Sequence, residues 1–235
     1  MKEEIDYEAL KKKGFLKAKT PGDFIFRTRM PNGNYGAKEL IALSQIATNY
    51  GRGITHATTR QGIEIPFIKH QDITSVEQIA KTAGLLAGTS GPRLRTTTVC
   101  PGSNWCKTGL INTFSLSEKI ERMGFVCAKD LPHKFKISIS GCLNSCVRVE
   151  SSEIGIHGAI HKTKLKTKGY IIYLGGCGGR KPRYGIKLPE VYTEEETLEI
   201  VKKTILFFER HAKPRQRLAL LIEEYGKDPF LKEIL

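Results

Sequence analysis

Residues 100–106 read CPGSNWC and residues 141–146 read GCLNSC, so four of the six cysteines lie in two pairs. The four are Cys100, Cys106, Cys142 and Cys146. Thiolates are the usual ligands of iron–sulfur clusters, and four of them complete a four-iron cluster. If Cys142 begins a helix, Cys146 lies one turn later on the same face. The spacing therefore favours one cluster clamped by both pairs.

Spacing alone leaves two other roles open for these cysteines. Structural zinc prefers two to four residues between paired ligands and often includes histidine, so it fits the second pair and fits the first poorly. Disulfides need an oxidising compartment. The first residues, MKEEID, contain no apolar signal region, so we expect a cytoplasmic protein with reduced thiols. His157 and His161 are further candidate metal ligands, although such histidines are more often hydrogen-bonded or exposed.

The composition is that of a soluble globular protein with a strong basic excess. The chain has 235 residues, 40% hydrophobic and 26% charged, which suits one large domain or two small ones. No apolar run is long enough for a membrane span. A net charge of +14 indicates an anionic substrate, an acidic protein or nucleic acid as partner. Aromatic residues make up only 8%, which disfavours a nucleic-acid site built on base stacking.

Hydrophobic periodicity predicts a β-α-β unit followed by a helix in the first third of the chain. The predicted elements are a strand over 24–30, a turn at 31–33, a helix over 37–50, a strand over 54–68 and a helix over 74–87. Within the first strand, Arg27 and Arg29 point to the face opposite Phe26.

The rest of the chain alternates between helical and extended patterns. The predicted helices cover 107–124, 193–212, 213–225 and 228–234, and the predicted strands cover 134–140, 152–159 and 170–174, with a solvated hairpin at 162–168. A capping box over Thr193 to Glu196 marks the start of the long helix. Cys127 is predicted to be a small buried hydrophobe, and Cys177 has no evident partner in the sequence.

Two stretches near the cysteines carry further chemistry. In the strand over 134–140, Lys134 and Lys136 share one face with two serines. Because this strand runs directly into Cys142, we expect its polar face to look into the metal cavity, where two ammonium groups suit a small oxyanion. The glycine-rich residues 175–179 form a loop whose backbone can approach a ligand closely.

Together these stretches resemble the sulfite and nitrite reductases that carry siroheme coupled to a four-iron cluster. The cysteine pairs match the family signature Cys-x5-Cys … Cys-x3-Cys. The other matching stretches are FRTRMPNG at 26–33, TTRQ at 58–61, LPHKFK at 131–136 and LGGCGG at 174–179. The resemblance covers residues 14–230 in family order. With one copy of each half, the chain is most similar to the low-molecular-weight, single-repeat sulfite reductases.

The resemblance implies a role for each matching residue. All four cysteines ligate the cluster, and Cys146 is also the axial ligand of the siroheme iron, so one sulfur joins the two centres. The implied catalytic, anion-binding residues are Arg27, Arg95, Lys134 and Lys136. The implied siroheme-binding residues, besides Cys146, are Arg29, Arg60, Gly175, Gly176 and Gly179.

The implied activity is the six-electron reduction of sulfite to sulfide. No flavin or nicotinamide motif occurs in the sequence, so electrons are expected from a separate ferredoxin, flavodoxin or partner reductase subunit. Reduction of nitrite to ammonia on the same cofactors is the nearest alternative. An electron-transfer or sensing protein and a zinc-stabilised nucleic-acid-binding protein are the others. A homodimer can replace the second repeat of the larger family members.

We therefore predict an α+β protein in three parts. Residues 1–72 form a ferredoxin-like half-domain, and residues 73–192 form a mixed α/β domain that binds siroheme and a [4Fe-4S] cluster. Residues 193–235 form a C-terminal helical segment that packs on the cofactor domain.

Overall fold

The computed structural model of the chain describes residues 5–88, 90–128, 130–161 and 167–235. The chain divides into two compact units between Ser90 and Gly91. Each unit has its own sheet and its own buried core. Most of the hairpin predicted at 162–168 lies outside the described residues. Across the described ranges, no helix has the length and apolar character needed to cross a bilayer.

The first unit is an antiparallel sheet packed with helices. Its elements in chain order are α1 (Tyr7–Lys12), β1 (Phe15–Lys17), β2 (Asp23–Arg29), α2 (Ala37–Tyr50), β3 (His56–Ala57), β4 (Ile63–Lys69), α3 (Ile73–Ala83) and β5 (Leu86–Ala87). The strand order is β1-β2-β4-β3, and β5 also pairs with β2. Leu43 and Ile46 of α2 and Val76 of α3 are buried against the strands. Because α3 belongs to this unit, the unit extends past residue 72, the predicted end of the half-domain.

Two predicted elements of the first unit are wrong. The strand predicted over 54–68 is a hairpin, because the chain turns at 58–62, where Gln61 has a left-handed φ of 61° and the Thr58 hydroxyl accepts the N–H of Gly62 at 3.1 Å. The hairpin reverses the chain, so β4 runs antiparallel to β2 instead of parallel as in a β-α-β unit. Helix α3 stops before residue 87 because Gly84 adopts φ 84°, a left-handed helix end.

The second unit is a mixed sheet with helices. Its elements are β6 (Thr98–Val99), α4 (Thr113–Arg122), β7 (Ile137–Ser140), β8 (Ile154–Ile160), β9 (Lys168–Leu174), β10 (Ile186–Lys187), α5 (Glu194–His211), α6 (Leu218–Tyr225) and α7 (Lys227–Ile234). The order is β10-β9-β8-β7-β6. Strands β6, β7 and β8 are parallel, whereas β9 and β10 are antiparallel to their neighbours. This mixed α/β arrangement beside an antiparallel unit confirms the predicted α+β class.

Two helices of this unit start later than predicted. Helix α4 begins at Thr113 and not at residue 107, because Asn112 caps it by accepting the N–H of Ser115 at 3.0 Å. The residues before α4 contact the segment that carries the second cysteine pair, since the N–H of Leu110 donates to the carbonyl of Gly141 at 2.8 Å. Helix α6 likewise begins at Leu218 and not at residue 213.

The predicted alternation around β7 places its apolar side chains in the core. Phe135, Ile137 and Ile139 are fully buried together with Phe207 and Phe208 of α5. The rings of Phe135 and Phe208 lie 5.2 Å apart. Burying side chains of this size contributes about 1.5–3 kcal/mol each. The C-terminal helices are therefore held to the sheet of the second unit by its main core.

Glycines join the two cysteine-bearing loops of the second unit backbone to backbone. A Cβ on Gly141, in the second loop, would lie 2.5 Å from the Cα of Gly102 in the first. A Cβ on Gly109 would overlap the main chain of Gly102 and Ser103, and one on Gly158 of β8 would strike the carbonyl of Gly141. Only residues without a Cβ allow so close an approach. These glycines therefore fix the distance between the two loops.

We expect Gly109→Ala to destabilise the second unit, because the backbone atoms it meets cannot move aside as the end of a flexible side chain can. Overpacking of this kind costs about 1–3 kcal/mol. Gly178→Ala is the matched control, since a Cβ there meets nothing within 4 Å and its φ lies outside the left-handed region. Denaturant midpoints of both variants, prepared without metal, provide the measurement. Equal midpoints would contradict a structural role for the glycine contact.

Candidate metal centre and anion site

The structure places the four predicted cluster ligands on the two loops that the glycines join. Cys100 follows β6, and its Sγ accepts the N–H of Gly141 at 3.0 Å. The Sγ atoms of Cys106 and Cys142 lie 3.4 and 3.7 Å from the hydroxyl of Thr108. Cys100 and Cys142 therefore take part directly in the contact between the loops, and Thr108 places Cys106 beside it.

The fourth thiol, that of Cys146, lies in an exposed turn. The helix considered for Cys142 and Cys146 does not form, since the chain passes through turns in which Ser145 and Arg148 have left-handed φ values of 50° and 53°. Val149 then opens a short 3-10 segment and is buried, which turns the chain back to the sheet. The second cysteine pair is thus presented by a loop.

The thiols have the properties that a cluster requires. All six cysteines lie in the described ranges and are free, without disulfides. Hydrogen bonds from the hydroxyl and main chain of Thr108 lower the pKa of Cys106, which favours the thiolate form that binds metal. Within the described ranges, no three His, Cys, Asp or Glu side chains are grouped to hold one metal ion. A four-iron cluster instead offers a separate iron to each thiolate, and four thiols on two facing loops fit that need.

Arg95 lies beside the segment that contains Lys134 and Lys136. Its N–H donates to the carbonyl of Phe135, between the two lysines, at 2.9 Å. Its guanidinium Nη2 donates to the carbonyl of Gly91 at 2.7 Å. Both lysines are half-buried immediately before β7. The second unit therefore brings three of the four predicted catalytic residues into one region.

These residues belong to a larger cluster of positive charge. Burial lowers the pKa of His133, and the positive charges of Arg217, Lys134, Arg95 and Arg215 lower it further. The interaction between two charges weakens as the distance between them grows, so these four cations lie close to His133. Sequence reasoning missed His133, Arg215 and Arg217, although His133 stands within the quoted LPHKFK stretch. The cluster supplies a positive field suited to a small anion.

A buried ion pair connects the lysine segment with the glycine loop. Glu153 is fully buried and accepts the Nε of Arg217 at 2.6 Å and the N–H of Lys136 at 2.9 Å. The N–H of Gly175 donates to the carbonyl of Glu153 at 2.8 Å, and Arg217 reaches the carbonyl of Gly178 at 3.5 Å. Burial raises the pKa of Glu153, and Arg217 opposes this change. Removing one partner of such a pair costs about 3–5 kcal/mol.

The glycine loop has a protein-facing half and an open half. A Cβ on Gly175 would meet α6, and one on Gly176 would lie 2.6 Å from the carbonyl of Ser152. Gly178 and Gly179 have open space beside their Cα atoms. The open half is where a ligand can approach the backbone, so Gly178, which sequence reasoning missed, joins the predicted Gly179 there.

The second cysteine loop and the segment after the glycine loop face one cavity of about 500 Å³. Its lining consists of Ser145, Arg148, Glu150, Ser151, Pro182, Arg183 and Tyr184. Arg148 and Arg183 bring guanidinium groups, which pair well with carboxylates. Arg183 also contacts Glu223, with its Nε 2.6 Å from the carboxylate.

The remaining predicted arginines belong to the first unit. Arg27 of β2 forms an ion pair with Glu64 of β4, its Nε 2.5 Å from the carboxylate. Arg29 follows on the same face of β2, and both arginines are half-buried. Arg60 lies in the turn between β3 and β4, where its N–H donates to the hydroxyl of Thr58 at 3.4 Å.

His157 is hydrogen-bonded through both ring nitrogens. Its Nδ1 lies 2.9 Å from the carbonyl of Cys142, and its Nε2 lies 2.8 Å from the carboxylate of Glu150. The structure therefore gives it the hydrogen-bonding role and not metal ligation. Of the other two cysteines, Cys177 is buried and Cys127 is half-buried, with its Sγ 3.7 Å from the hydroxyl of Thr96.

Comparison with known proteins identifies the two units. Residues 90–235 match the family model described as the nitrite and sulphite reductase 4Fe-4S domain, and residues 17–83 match that of the nitrite/sulfite reductase ferredoxin-like half domain. A coenzyme F420-dependent sulfite reductase of Methanocaldococcus jannaschii is 28% identical over 94% of the chain and 44% of its own length. A nitrite reductase [NAD(P)H] of Emericella nidulans is 31% identical over 91% of the chain and 19% of its own length.

A solved structure agrees with these sequence matches. The NirA protein of Mycobacterium tuberculosis superposes with a TM-score of 0.82 at 20% identity, over 96% of the chain and 45% of that protein. The chain thus spans less than half the length of these relatives. The 4Fe-4S domain model alone covers more than half of the chain, and family membership implies siroheme and a [4Fe-4S] cluster as cofactors. The chain belongs to the nitrite and sulfite reductase family of oxidoreductases.

Proposed function

We propose that the protein reduces sulfite to sulfide at a siroheme bridged to a [4Fe-4S] cluster, with the cluster ligands in the second unit. Cys100, Cys106, Cys142 and Cys146 would hold the cluster, and Cys146 would also ligate the siroheme iron. The observation that carries the proposal is the contact between the two cysteine loops in the unit that also contains the basic cluster. When bound, siroheme supplies an iron that takes the substrate and delivers electrons to it.

The basic side chains bind and protonate the substrate in this proposal. The guanidinium of Arg95 and the ammonium groups of Lys134 and Lys136 donate hydrogen bonds to the sulfite oxygens and offset their negative charge. Lysine Nζ groups can donate protons as S–O bonds break and water leaves. A positive site lowers the cost of each of the six one-electron additions to an anionic complex. Arg27 is proposed to act with them, its guanidinium oriented by Glu64.

Siroheme carries carboxylates that need cationic partners. We assign Arg29 and Arg60 to this task, because guanidinium groups bind carboxylates through paired hydrogen bonds. The open half of the glycine loop, Gly178 and Gly179, allows the flat macrocycle to approach the backbone. Gly175 and Gly176 support the loop from the protein side.

We infer that a separate acidic electron carrier of the ferredoxin or flavodoxin type reduces the protein. The net charge of +14 supports this, since a basic surface attracts an acidic partner and speeds its association. The coenzymes in the names of the two relatives differ from one another, and the chain spans less than half of each relative. These names therefore do not identify the electron donor of this chain. A cytoplasmic location and a homodimer remain predictions.

Reduction of nitrite to ammonia is the second candidate. The relative at 31% identity is a nitrite reductase, and a basic cluster can bind either anion. Two lysines beside Arg95 favour sulfite, because a dianion gains more than a monoanion from each added positive charge.

Anaerobically purified protein should show the Soret and red-region bands of siroheme and contain about five irons per chain, four in the cluster and one in the tetrapyrrole. With a chemically reduced carrier, sulfide should form faster from sulfite than ammonia forms from nitrite at equal concentration. Faster nitrite reduction would make nitrite reduction the first candidate function and sulfite reduction the second. Full loading without turnover of either anion would favour an electron-transfer or sensing role.

We expect Lys136→Ala to lower sulfite turnover about 10²-fold, because one charged donor to the reacting anion is lost. Siroheme and iron content should stay at the parent level, since Lys136 bonds Glu153 through its backbone N–H, which the variant keeps. Lys168→Ala, an exposed lysine of the same unit, is the control with the same change in net charge. Loss of siroheme from Lys136→Ala would indicate a structural role.

Gly178→Val should lower siroheme per chain without lowering stability, because its side chain enters open space that the macrocycle is proposed to occupy. Gly176→Ala should lower both, because its Cβ would strike the carbonyls of Glu150 and Ser152. Absorption of siroheme per chain and denaturant midpoints separate the two effects. Normal siroheme content in Gly178→Val would remove the glycine loop from the proposed site.

A further inference from the structure

A chain of partly buried hydrogen bonds runs from the main chain of Cys142 to the residue before Cys146. His157, on β8, is only 1% exposed, and its ring joins the carbonyl of Cys142 to the carboxylate of Glu150. The other carboxylate oxygen of Glu150 accepts the hydroxyl of Ser145 at 2.5 Å. Both ends of the second cysteine loop are therefore connected through two side chains outside it.

The partners of His157 determine what its ring does. A backbone carbonyl only accepts hydrogen bonds, and an ionised carboxylate likewise only accepts. Hydrogen bonds from Ser145 and His157 keep the pKa of Glu150 low against the opposing effect of its burial. Because the carbonyl of Cys142 only accepts, Nδ1 of His157 is the donor of that hydrogen bond, and Nε2 faces the carboxylate of Glu150 at 2.8 Å.

The connection also offsets strain in the loop. Ser145 has a left-handed φ of 50°, which a residue with a Cβ adopts at a cost. Its hydroxyl compensates by donating to Glu150 and accepting the N–H of Val149 at 3.2 Å. The ring of His157 is held in turn by an edge contact with Tyr173, at 5.6 Å between centroids.

We propose that His157 and Glu150 are positioning residues for the two cluster ligands of the second loop. His157 fixes the carbonyl of Cys142, and Glu150 fixes Ser145, so that the Cys142 and Cys146 thiolates are held ready for their irons. Residues that orient metal ligands typically change metal affinity 10- to 100-fold when removed. The proposal rests on the cluster ligation proposed above, and neither residue is required to contact the cluster.

Two substitutions separate the two hydrogen bonds of His157. The side-chain nitrogen of Asn stands the same number of bonds from Cβ as Nδ1, so His157→Asn keeps a donor for the carbonyl of Cys142. The side-chain nitrogen of Gln corresponds in the same way to Nε2, so His157→Gln keeps only the donor to Glu150. Ser145→Ala, on the loop itself, removes the other end of the connection and leaves β8 unchanged.

The measurement is the rate at which each anaerobic, cluster-loaded protein loses its cluster absorbance to an iron chelator, together with the cluster reduction potential from a redox titration followed by EPR. We expect His157→Gln and Ser145→Ala to lose the cluster about 10- to 100-fold faster than the parent, with a shifted potential. His157→Asn should stay within a few-fold of the parent.

Equal loss in His157→Asn and His157→Gln would overturn the proposal, because it would make His157 a core residue without a specific bond to the loop. Parent-like rates in Ser145→Ala would overturn the part assigned to Glu150. A parent protein without cluster iron overturns the proposed function and this inference with it. A loaded parent whose variants all match it overturns the inference alone.

Discussion

The site depends on a contact between two glycine backbones, Gly102 and Gly141, that no residue with a Cβ can make. A Cβ on Gly141 would lie 2.5 Å from the Cα of Gly102, so the two cysteine loops approach this closely only because Gly141 lacks one. The approach puts the thiol of Cys100 against the N–H of Gly141 and the hydroxyl of Thr108 beside the thiols of Cys106 and Cys142. Three of the four thiols, all except that of Cys146, are thus gathered by packing of the protein before any metal contributes.

Two carboxylates just before β8, the half-buried Glu150 and the fully buried Glu153, extend this constraint to the rest of the site. Glu150 connects through His157 and Ser145 to the second cysteine loop, and Glu153 connects to the backbone of Lys136. They stand close in sequence but serve different parts of the site. Because an unpaired carboxylate costs several kcal/mol when buried, Glu153 is expected to fix its partners in one arrangement. The second cysteine loop and the lysine segment are therefore both connected to one short stretch of chain.

The sequence predicted what depends on short-range pattern and missed what depends on long-range contact. Three features were predicted because each is encoded within a few residues. They are the alternation around Phe135 and Ile137, the Thr193 capping box and the arrangement of the four cysteines in two sequence pairs. The hairpin at Thr58 to Gly62 was missed, since the flanking apolar residues alternate as in one strand. Glu153 and Arg217 carry no local signal, because their pairing exists only after β8 and α6 have packed.

The basic residues divide into those that hold geometry and those that supply a field. Arg27 faces Glu64 and Arg217 faces Glu153, so each pair adds little net charge and contributes mainly a fixed orientation. Four cations nevertheless surround the lysine segment: burial lowers the pKa of His133, and Arg217, Lys134, Arg95 and Arg215 lower it further, although Glu153 contacts Arg217. The contribution of these cations, unlike that of burial, also favours a bound anion, because both effects come from the same positive charges. The positive charge around the lysine segment therefore comes from several elements of the second unit.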